Sequence, residues 1–295
     1  MAWAAELVRR LGLGARSVVA EASGGGDGIS RALAAHGIRS LPAVACPPGQ
    51  ADVVIANHSL AHALDLDEAL RALLTPLGAD GTVALEFHHS ARLLTDTQFD
   101  LICHPHRTYL SVTTLVKALA RHGLRATDAV EIPVHGGSIR LYAQRGDGAA
   151  GATVEALGAG ERALGLDRTA GYSAWAQQIA DASSKVQRFL VQARAEGRTV
   201  IGYGAPSRAS TLLNHCGVTA ADLTATVDRS TEKQGWALPG CRVPIHPPRL
   251  IADRRPDYVL ILAWTLADEI MDQMAHVRTW GGRFVVPLPD LKVLP

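Results

Sequence analysis

The amino-acid sequence predicts an α/β fold made of two doubly wound, mostly parallel sheets. Apolar segments of strand length alternate with segments of helical period, as at "SVVAEA" (17–22), "ADVVIAN" (51–57) and "GTVALEF" (81–87). Strands that alternate with helices in this way form parallel sheets. The alternation starts again at "TVIGYGA", and a chain of 295 residues is long enough for two domains.

The first predicted sheet occupies residues 1–148. A glycine-rich turn and the helix "SRALAAHG" follow the first strand, and the helix "LDEALRALLTPLG" joins the next two strands. "SVTTLVKALARHGL" predicts a helix, because its apolar residues recur every three or four positions and a glycine follows. "RATDAVEIPVHGGSIRLYAQR" predicts two antiparallel strands at the edge of this sheet.

The second predicted sheet occupies residues 169–295, after a predicted linker at 149–168. "GDGAAGATVEALGAG" indicates a linker because it consists mainly of small residues and glycine without a period. A long helix comes next, and the strands of the second sheet are predicted at "TVIGYGA", "LTATVDRS", "YVLILAW" and "GRFVVPLP". A cleft at the carboxyl ends of the strands is the expected ligand site in such an architecture.

Composition excludes several classes of protein. The net charge of +1 offers no basic surface for nucleic acid, and the four cysteines form no CxxC pair. No apolar segment approaches the roughly 20 residues that cross a bilayer. The N-terminal segment carries charges within a helical period, unlike a signal peptide. We therefore expect a cytoplasmic protein that binds neither nucleic acid nor membrane.

Half of the twelve histidines lie between residues 58 and 106, near the ends of predicted strands. Imidazole acts as a base near neutral pH, and it also ligates zinc, nickel, copper and iron. The spacing leaves open a catalytic pocket, a divalent metal site, and scattered surface or core positions. These histidines are His58, His62, His88, His89, His104 and His106. Because side chains alternate along a strand, at most one of the neighbours His88 and His89 is expected in a pocket.

A glycine-rich turn, "EASGGGDG", joins the first strand to the first helix of the sheet. Such a turn lets the backbone approach a nucleotide or the amino-acid part of S-adenosylmethionine, although it is as often a simple connection. The residues concerned are Gly24, Gly25, Gly26 and Asp27. Nucleotide-binding sheets usually carry an acidic residue after the next strand. This chain has none there before Asp52, which predicts an incomplete adenosine pocket.

Four motifs resemble the nucleotide-sugar C-methyltransferases of deoxysugar biosynthesis: "QFDLICHPHRTYLS", "EIPVHGGSIRLYAQ", "VIGYGAPSRASTLLNHCG" and "YVLILAWTLADEIM". The resemblance implies two Rossmann-like domains, the first methyltransferase-like and the second binding the sugar nucleotide. That family deprotonates the carbon beside the ketone of a dTDP-linked keto sugar and methylates it from S-adenosylmethionine. We expect a truncated member without the family's N-terminal zinc domain and with an eroded S-adenosylmethionine site.

The resemblance also implies site residues. His106 matches the family's base and His62 another active-site histidine, and His104 precedes His106 in the same motif. The expected substrate contacts are Asn57 and His88 at strand ends, the turn formed by His135, Gly136, Gly137 and Ser138, and in the second domain Tyr203, Ser207, Arg208, Asp228 and Lys233. In the second domain, we expect Ser207 to cap a helix and Arg208 to face the diphosphate. Without the resemblance, these side chains would be assigned to turns, a helix cap and a solvated surface.

Three functions follow from these patterns. With the methyl-donor pocket eroded, the deprotonated sugar would be reprotonated, so the main hypothesis is a sugar-nucleotide epimerase or isomerase that needs no cofactor. The alternative is an active C-methyltransferase that uses S-adenosylmethionine. A third hypothesis is a non-catalytic partner subunit that binds a sugar nucleotide. Each of the three hypotheses leaves open whether the histidines bind a divalent metal.

Overall fold

The structure is a computed structural model that describes residues 2–22 and 28–295. The chain forms two compact units, of which the first contains residues 1–91 and 105–168 and the second residues 92–104 and 169–295. Within the described residues, each unit contains a six-stranded sheet, which confirms the predicted α/β class. Residues 92–104 group with the second unit, although the predicted division assigned them to the first.

The first twelve helices and strands precede residue 169. In chain order they are α1 (Ala2–Leu11), β1 (Val19–Glu21), α2 (Gly28–Ala34), β2 (Ser40–Pro42), β3 (Ala51–Asn57), α3 (Leu66–Leu74), β4 (Leu77–His88), α4 (Ser90–Thr95), α5 (Val112–Arg121), β5 (Leu124–Ile132), β6 (Ser138–Arg145) and α6 (Ala152–Ala163). Asp65 and Ser111 start α3 and α5, because their side chains accept hydrogen bonds from the amides of Glu68 and Thr114.

The first sheet has the strand order β2-β1-β3-β4-β6-β5. Its neighbours are parallel except at β6, which lies antiparallel to both β4 and β5. The predicted antiparallel pair is therefore present, but only β5 is at the edge. After β1 the chain adds β2 on one side and β3 on the other, so a topological switch point lies between β1 and β3. Sheets of this kind bind ligands at the carboxyl ends of the strands beside such a point.

Both faces of the first sheet are covered. Val53 and Ile55 of β3 pack with α1 and α2, whereas Val54 and Ala56 pack with α3 and α5. This division follows from the two-residue period of a strand, which sends successive side chains to opposite faces. It also explains why residues 53–56 of β3 are all apolar, since a strand segment buried on both faces has no polar side.

The predicted linker is wrong at residues 152–163, which form α6. The buried positions of this helix are Val154, Gly158 and Glu161, which recur at the spacing of one helical face. Only one of the three is a large apolar residue, so the sequence shows little hydrophobic period. A Cβ at Gly158 would lie 3.5 Å from the Thr113 hydroxyl of α5, which is ordinary van der Waals contact, so this face of α6 packs against α5.

Glu161 joins α6 to the start of α5 through a buried carboxylate. Its oxygens accept hydrogen bonds from the amides of Val112 (2.6 Å) and Thr113 (2.8 Å) and from Nε2 of His89 (2.8 Å). These amides are among the first of α5, which have no partner within the helix. Burial opposes ionisation of Glu161, but the hydrogen bonds outweigh it and hold its pKa below the usual 4.5.

The second unit contains the remaining elements. They are α7 (Thr169–Ala195), β7 (Val200–Tyr203), α8 (Ser207–His215), β8 (Thr226–Val227), β9 (Ile245–His246), α9 (Arg249–Arg254), β10 (Tyr258–Ile261), α10 (Ala267–Gln273), β11 (Arg283–Val286) and β12 (Lys292–Leu294). The strand order is β12-β11-β10-β7-β8-β9, and only β12 is antiparallel to its neighbour among the described strands. Among the described helices of both units, none combines the length and hydropathy needed to span a bilayer.

The Glu161 carboxylate should make folding sensitive to acid. We expect Glu161→Gln to lower the free energy of unfolding at pH 7 by about 2 kcal/mol, because it weakens three buried hydrogen bonds. Since the folded pKa is depressed, this stabilisation is present above pH 4.5 and is lost as the pH falls through the folded value. Urea unfolding of the wild-type protein and the variant at pH 7 and pH 4 measures the loss of stability and its dependence on pH. The control is Glu155→Gln, an exposed position in the same helix, and equal stabilities of the two variants at pH 7 would contradict the expectation.

Candidate active site

Five imidazole rings meet at one edge of the first sheet. Neighbouring ring centroids are 4.4 Å (His58–His88), 5.0 Å (His58–His135), 5.4 Å (His62–His106), 5.5 Å (His88–His106) and 5.8 Å (His88–His135) apart. We call these five residues the histidine cluster. The cluster includes four of the predicted site residues (His62, His88, His106 and His135), together with His58.

The strand register brings the cluster together. In the parallel pair β3 and β4, Asn57 is aligned with Glu86, so β4 ends only two residues beyond the end of β3. In the antiparallel pair β4 and β6, His88 is aligned with Ser138. The residues that follow β3, end β4 and precede β6 therefore lie side by side at the carboxyl edge of the parallel strands.

Two histidines of the cluster have a left-handed backbone. His58 has φ 53° and ψ 1°, and His135 has φ 55° and ψ 26°. This conformation is uncommon for residues with a side chain and costs roughly 1–3 kcal/mol each. Because the rings of these two residues contact each other, the strained backbone lies within the cluster itself, where such strain commonly accompanies function.

A buried chain of charged groups leads from α1 to the cluster. His58 Nε2 lies 3.2 Å from one oxygen of Glu86, and Arg140 Nε donates to the other at 2.7 Å. Arg140 also pairs with Glu6, which accepts a hydrogen bond from the Tyr142 hydroxyl at 3.0 Å. Burial alone would raise the pKa of Glu86, but the hydrogen bonds from His58 and Arg140 outweigh it and lower that pKa. Glu86 is therefore an ionised acceptor, and Nε2 of His58 carries a hydrogen.

Hydrogen bonds to the turn after β3 hold His106 in the cluster. His62 Nδ1 lies 3.0 Å from the carbonyl oxygen of Pro105, and because that oxygen only accepts, Nδ1 is the donor. The amides of Arg107 and Thr108 donate to the carbonyl of Ala61 at 2.7 and 3.1 Å. The half-buried His106 is thus fixed from both sides, by a side-chain contact before it and backbone contacts after it.

The neighbours His88 and His89 point to different surroundings, as expected for adjacent residues at the end of a strand. His88 belongs to the cluster, whereas His89 is buried and bonded to Glu161, with Glu131 3.6 Å from its other ring nitrogen. His89 therefore supports the helices α5 and α6.

Three consecutive residues at the end of β3 carry buried polar atoms without a hydrogen-bond partner in the described structure: Asn57 Oδ1, His58 Nδ1 and Ser59 Oγ. Buried polar atoms are nearly always hydrogen-bonded, so three such atoms together leave hydrogen-bonding capacity for a ligand or for water at this edge. Asn57 was expected here from the sequence. Ser59 was missed, and its only signal is its place directly after a strand that ends in polar residues.

Part of the hydrogen-bonding capacity of the turn before β6 is satisfied within the turn. Gly136 and Gly137 have φ values of 89° and 112°, a conformation that favours glycine. The Gly137 amide and the Ser138 hydroxyl both donate to the carbonyl of Val134 at 3.0 Å. The expected contacts of this turn with a sugar stay a prediction.

In the second unit, Arg208 is held by another residue of the same unit. Its guanidinium donates two hydrogen bonds to the fully buried carboxylate of Asp100, at 2.8 and 3.0 Å, and lies over the Trp264 ring. The Trp264 indole donates to the same carboxylate at 2.7 Å. Contact of Arg208 with a diphosphate stays a prediction. Asp100 and Trp264 were missed because nothing in the sequence relates them to Arg208.

The helix cap predicted at Ser207 is wrong. Pro206 occupies the N-cap position with an extended backbone, no side chain caps the helix, and the exposed Ser207 is the first residue of α8. The fixed φ of proline favours the chain entry into this helix without a capping hydroxyl.

Two of the remaining predicted residues of the second unit, Asp228 and Lys233, join two turns. Asp228 accepts hydrogen bonds from the amides of Ala205 (2.7 Å) and Ser230 (2.8 Å), and Lys233 Nζ donates to the Ala205 carbonyl at 3.1 Å. Tyr203 is buried at the end of β7, and this burial raises the pKa of its hydroxyl. The three residues lie around the carboxyl ends of β7 and β8, and their contact with a nucleotide stays a prediction.

Some predicted positions fall outside the cluster. His104 is exposed and belongs to the second unit. Gly24, Gly25, Gly26 and Asp27 lie outside the described residues. Within residues 2–22 and 28–295, no group of three or more histidine, cysteine or acidic residues has an arrangement that could hold a metal ion.

Comparisons with known proteins agree with the division of the chain into two α/β units. Residues 3–129 match the family described as a methyltransferase domain, and residues 133–289 match the C-methyltransferase C-terminal domain. The C-methyltransferase NovU of Streptomyces niveus is 34% identical over 270 residues, which cover 88% of this chain. The matched region spans 64% of the length of NovU.

Solved structures that resemble about half of this chain include two methyltransferases. The 1,6-didemethyltoxoflavin-N1-methyltransferase of Burkholderia thailandensis has 18% identity and a TM-score of 0.38, covering 49% of this chain and 76% of that one. The magnesium protoporphyrin IX methyltransferase of Synechocystis PCC 6803 has 16% identity and a TM-score of 0.39, covering 49% and 80%. TM-scores this low carry no functional argument. The match over residues 133–289, more than half of the chain, shows that the protein belongs to the C-methyltransferase family.

Proposed function

We propose that the protein removes a proton from the carbon beside the ketone of a nucleotide-linked deoxysugar, and that this carbon then receives a methyl group. The observation that carries the proposal is the histidine cluster at the carboxyl edge of the first sheet. Removal of a proton next to a ketone requires a base that titrates near neutral pH, and imidazole is such a base.

His106 is the proposed base. It is half-buried, and the contacts of the flanking residues with Ala61 and His62 hold it in place. In the proposed step, an imidazole nitrogen of His106 takes the proton, and the electron pair stays on the substrate as an enolate. The unpartnered atoms of Asn57 and Ser59 suit a sugar, whose hydroxyl groups both donate and accept hydrogen bonds.

The described residues fit S-adenosylmethionine in part. β1 ends at Glu21 beside the switch point, where a nucleotide-binding sheet places its ligand. The Glu21 carboxylate accepts a hydrogen bond from Ser30 at the start of α2. A carboxylate for the ribose is missing, because β2 has three residues and no acidic residue occurs from Gly28 to Ala51. When bound, S-adenosylmethionine supplies the methyl group.

The missing ribose carboxylate supports a second candidate function. If the enolate is reprotonated, the same deprotonation leads to epimerisation or isomerisation of the sugar and needs no methyl donor. Both candidates share the histidine cluster and differ only in what reaches the carbon after its proton is gone.

Deuterium uptake tests the shared step. We expect a dTDP-linked 4-keto deoxysugar in deuterated water to exchange the hydrogen beside its ketone, as measured by mass spectrometry and NMR. His106→Gln should slow this uptake by about 100-fold, because the variant lacks the base. The control is His122→Gln, since His122 pairs with Asp67 outside the cluster. Unchanged uptake in the His106 variant would refute the proposal.

Methyl-labelled S-adenosylmethionine in the same assay separates the two candidates. Label in the sugar identifies methyl transfer, and deuterium uptake with inversion but without label identifies the epimerase. If the substrate binds and neither product forms, both enzyme functions are excluded.

The hydrogen bond from His62 to Pro105 should matter for rate. We expect His62→Leu to slow deuterium uptake up to about tenfold, because a lost hydrogen bond of ~1 kcal/mol loosens the segment that carries His106. His62→Asn should retain most of the rate, since its amide N–H can replace the imidazole donor. Equal rates for the two variants would show that this hydrogen bond does not position the base.

A further inference from the structure

His58 and Glu86 form a histidine–carboxylate pair at the buried side of the histidine cluster. We propose that His58, oriented by Glu86, is a proton-relay residue, which receives through His88 the proton that the cluster removes from the substrate. This inference rests on the proposed deprotonation and adds a residue to it. His58 acts through His88, and it does not touch the substrate itself.

The hydrogen-bond pattern leaves one nitrogen of His58 able to take a proton. Nε2 donates to the ionised Glu86 carboxylate, so in the neutral ring Nδ1 has a lone pair. Nδ1 is buried and has no hydrogen-bond partner in the described structure. An oriented base of this kind, in which a carboxylate fixes the tautomer and leaves the other nitrogen as acceptor, is a recurring arrangement for proton transfer.

Glu86 belongs to a set of charged groups on the buried side of His58. Glu86 and Glu6 contribute two carboxylates, and Arg140, which lies between them, contributes one positive charge. Burial and the nearby Glu6 raise the pKa of Tyr142 to about 12, so its hydroxyl is neutral. The set therefore contains two carboxylates and the Arg140 guanidinium, and Arg10 lies over the Tyr142 ring at 4.0 Å.

Ring contacts through His88 connect His58 to His106, the proposed base. Its ring centroid is 4.4 Å from that of His88, which is 5.5 Å from that of His106. In the proposed sequence, the substrate C–H bond breaks, the proton forms an N–H bond on His106, and the electron pair stays in the enolate. The proton then passes to His88 and from His88 to Nδ1 of His58. After the substrate carbon has reacted, the proton passes back through His88 to His106 and exchanges with solvent, which resets the site. No oxidant or reductant is involved.

His89 and His122, two other histidines of the first unit, also pair with carboxylates and provide a comparison. His89 pairs with Glu161, which also holds the amides of α5, and His122 pairs with Asp67 at 3.2 Å. Neither histidine is a member of the cluster. Of these three pairs, only His58–Glu86 joins a buried carboxylate to the cluster.

Two substitutions that tolerate the left-handed backbone of His58 test the relay. His58→Gly and His58→Asn both keep this conformation without serious strain, and neither can accept the proton. We expect each to lower the rate of deuterium uptake at saturating substrate by at least about tenfold, with KM changed by less than about twofold. Added imidazole should restore most of the rate in His58→Gly, where the missing ring leaves room, but not in His58→Asn. The control variant His122→Gln, assayed in the same way, should show neither the loss of rate nor the rescue by imidazole.

The possible outcomes separate this inference from the proposed function. If His106→Gln abolishes uptake and His58→Gly keeps the wild-type rate, the relay is overturned and the deprotonation stands. A slow His58→Gly variant that stays folded by circular dichroism but gains nothing from imidazole also overturns the relay. In the wild-type protein, histidine ¹⁵N NMR should show the hydrogen of neutral His58 on Nε2, and a hydrogen on Nδ1 would contradict the orientation by Glu86.

Discussion

The buried carboxylate of Glu86 is the group on which the geometry of the first unit depends. A charge at a position only 6% exposed must be paired, and Glu86 is bonded to Arg140 on one side and to His58 on the other. Arg140 in turn connects the sheet to Glu6 of α1. The carboxylate that joins sheet and helix therefore also sets the orientation of one imidazole, so folding and the chemistry of the site share one set of contacts.

A large part of the fold follows from local patterns. The strands β3 and β4 and the helix α5 were predicted because their periods are clear over many residues, and the family resemblance identified His62 and His106. The helix α6 was missed because its buried face consists of a valine, a glycine and a glutamate, and Glu161 is buried only through partners on other elements. Likewise, the sequence could not relate His58 to Glu86, since their contact depends on the register between β3 and β4.

The second unit shows why isolated charges are hard to interpret from sequence. Arg208 and Asp228 follow strands at the expected ligand edge, yet both are engaged within the unit, by Asp100 and by backbone amides respectively. The sequence does not distinguish a charged residue that binds a ligand from one that holds two turns together. Only the partner distinguishes them, and here each partner is either distant in sequence or part of the backbone.

The described structure also bears on how one site can serve two reactions. The proposed deprotonation needs a base and groups to take the proton, and the histidines proposed for these roles lie at one edge, beside β3, β4, β6 and in the loop around His106. In the proposed reaction, the fate of the enolate would depend instead on the neighbouring end of β1, where the ribose carboxylate of nucleotide-binding sheets is missing. Because these two requirements fall on different strands, a change beside β1 can alter the product while the histidine cluster is retained. Under the proposed function, loss or retention of methyl transfer would therefore depend on β1 and β2, and the histidines alone would not decide it.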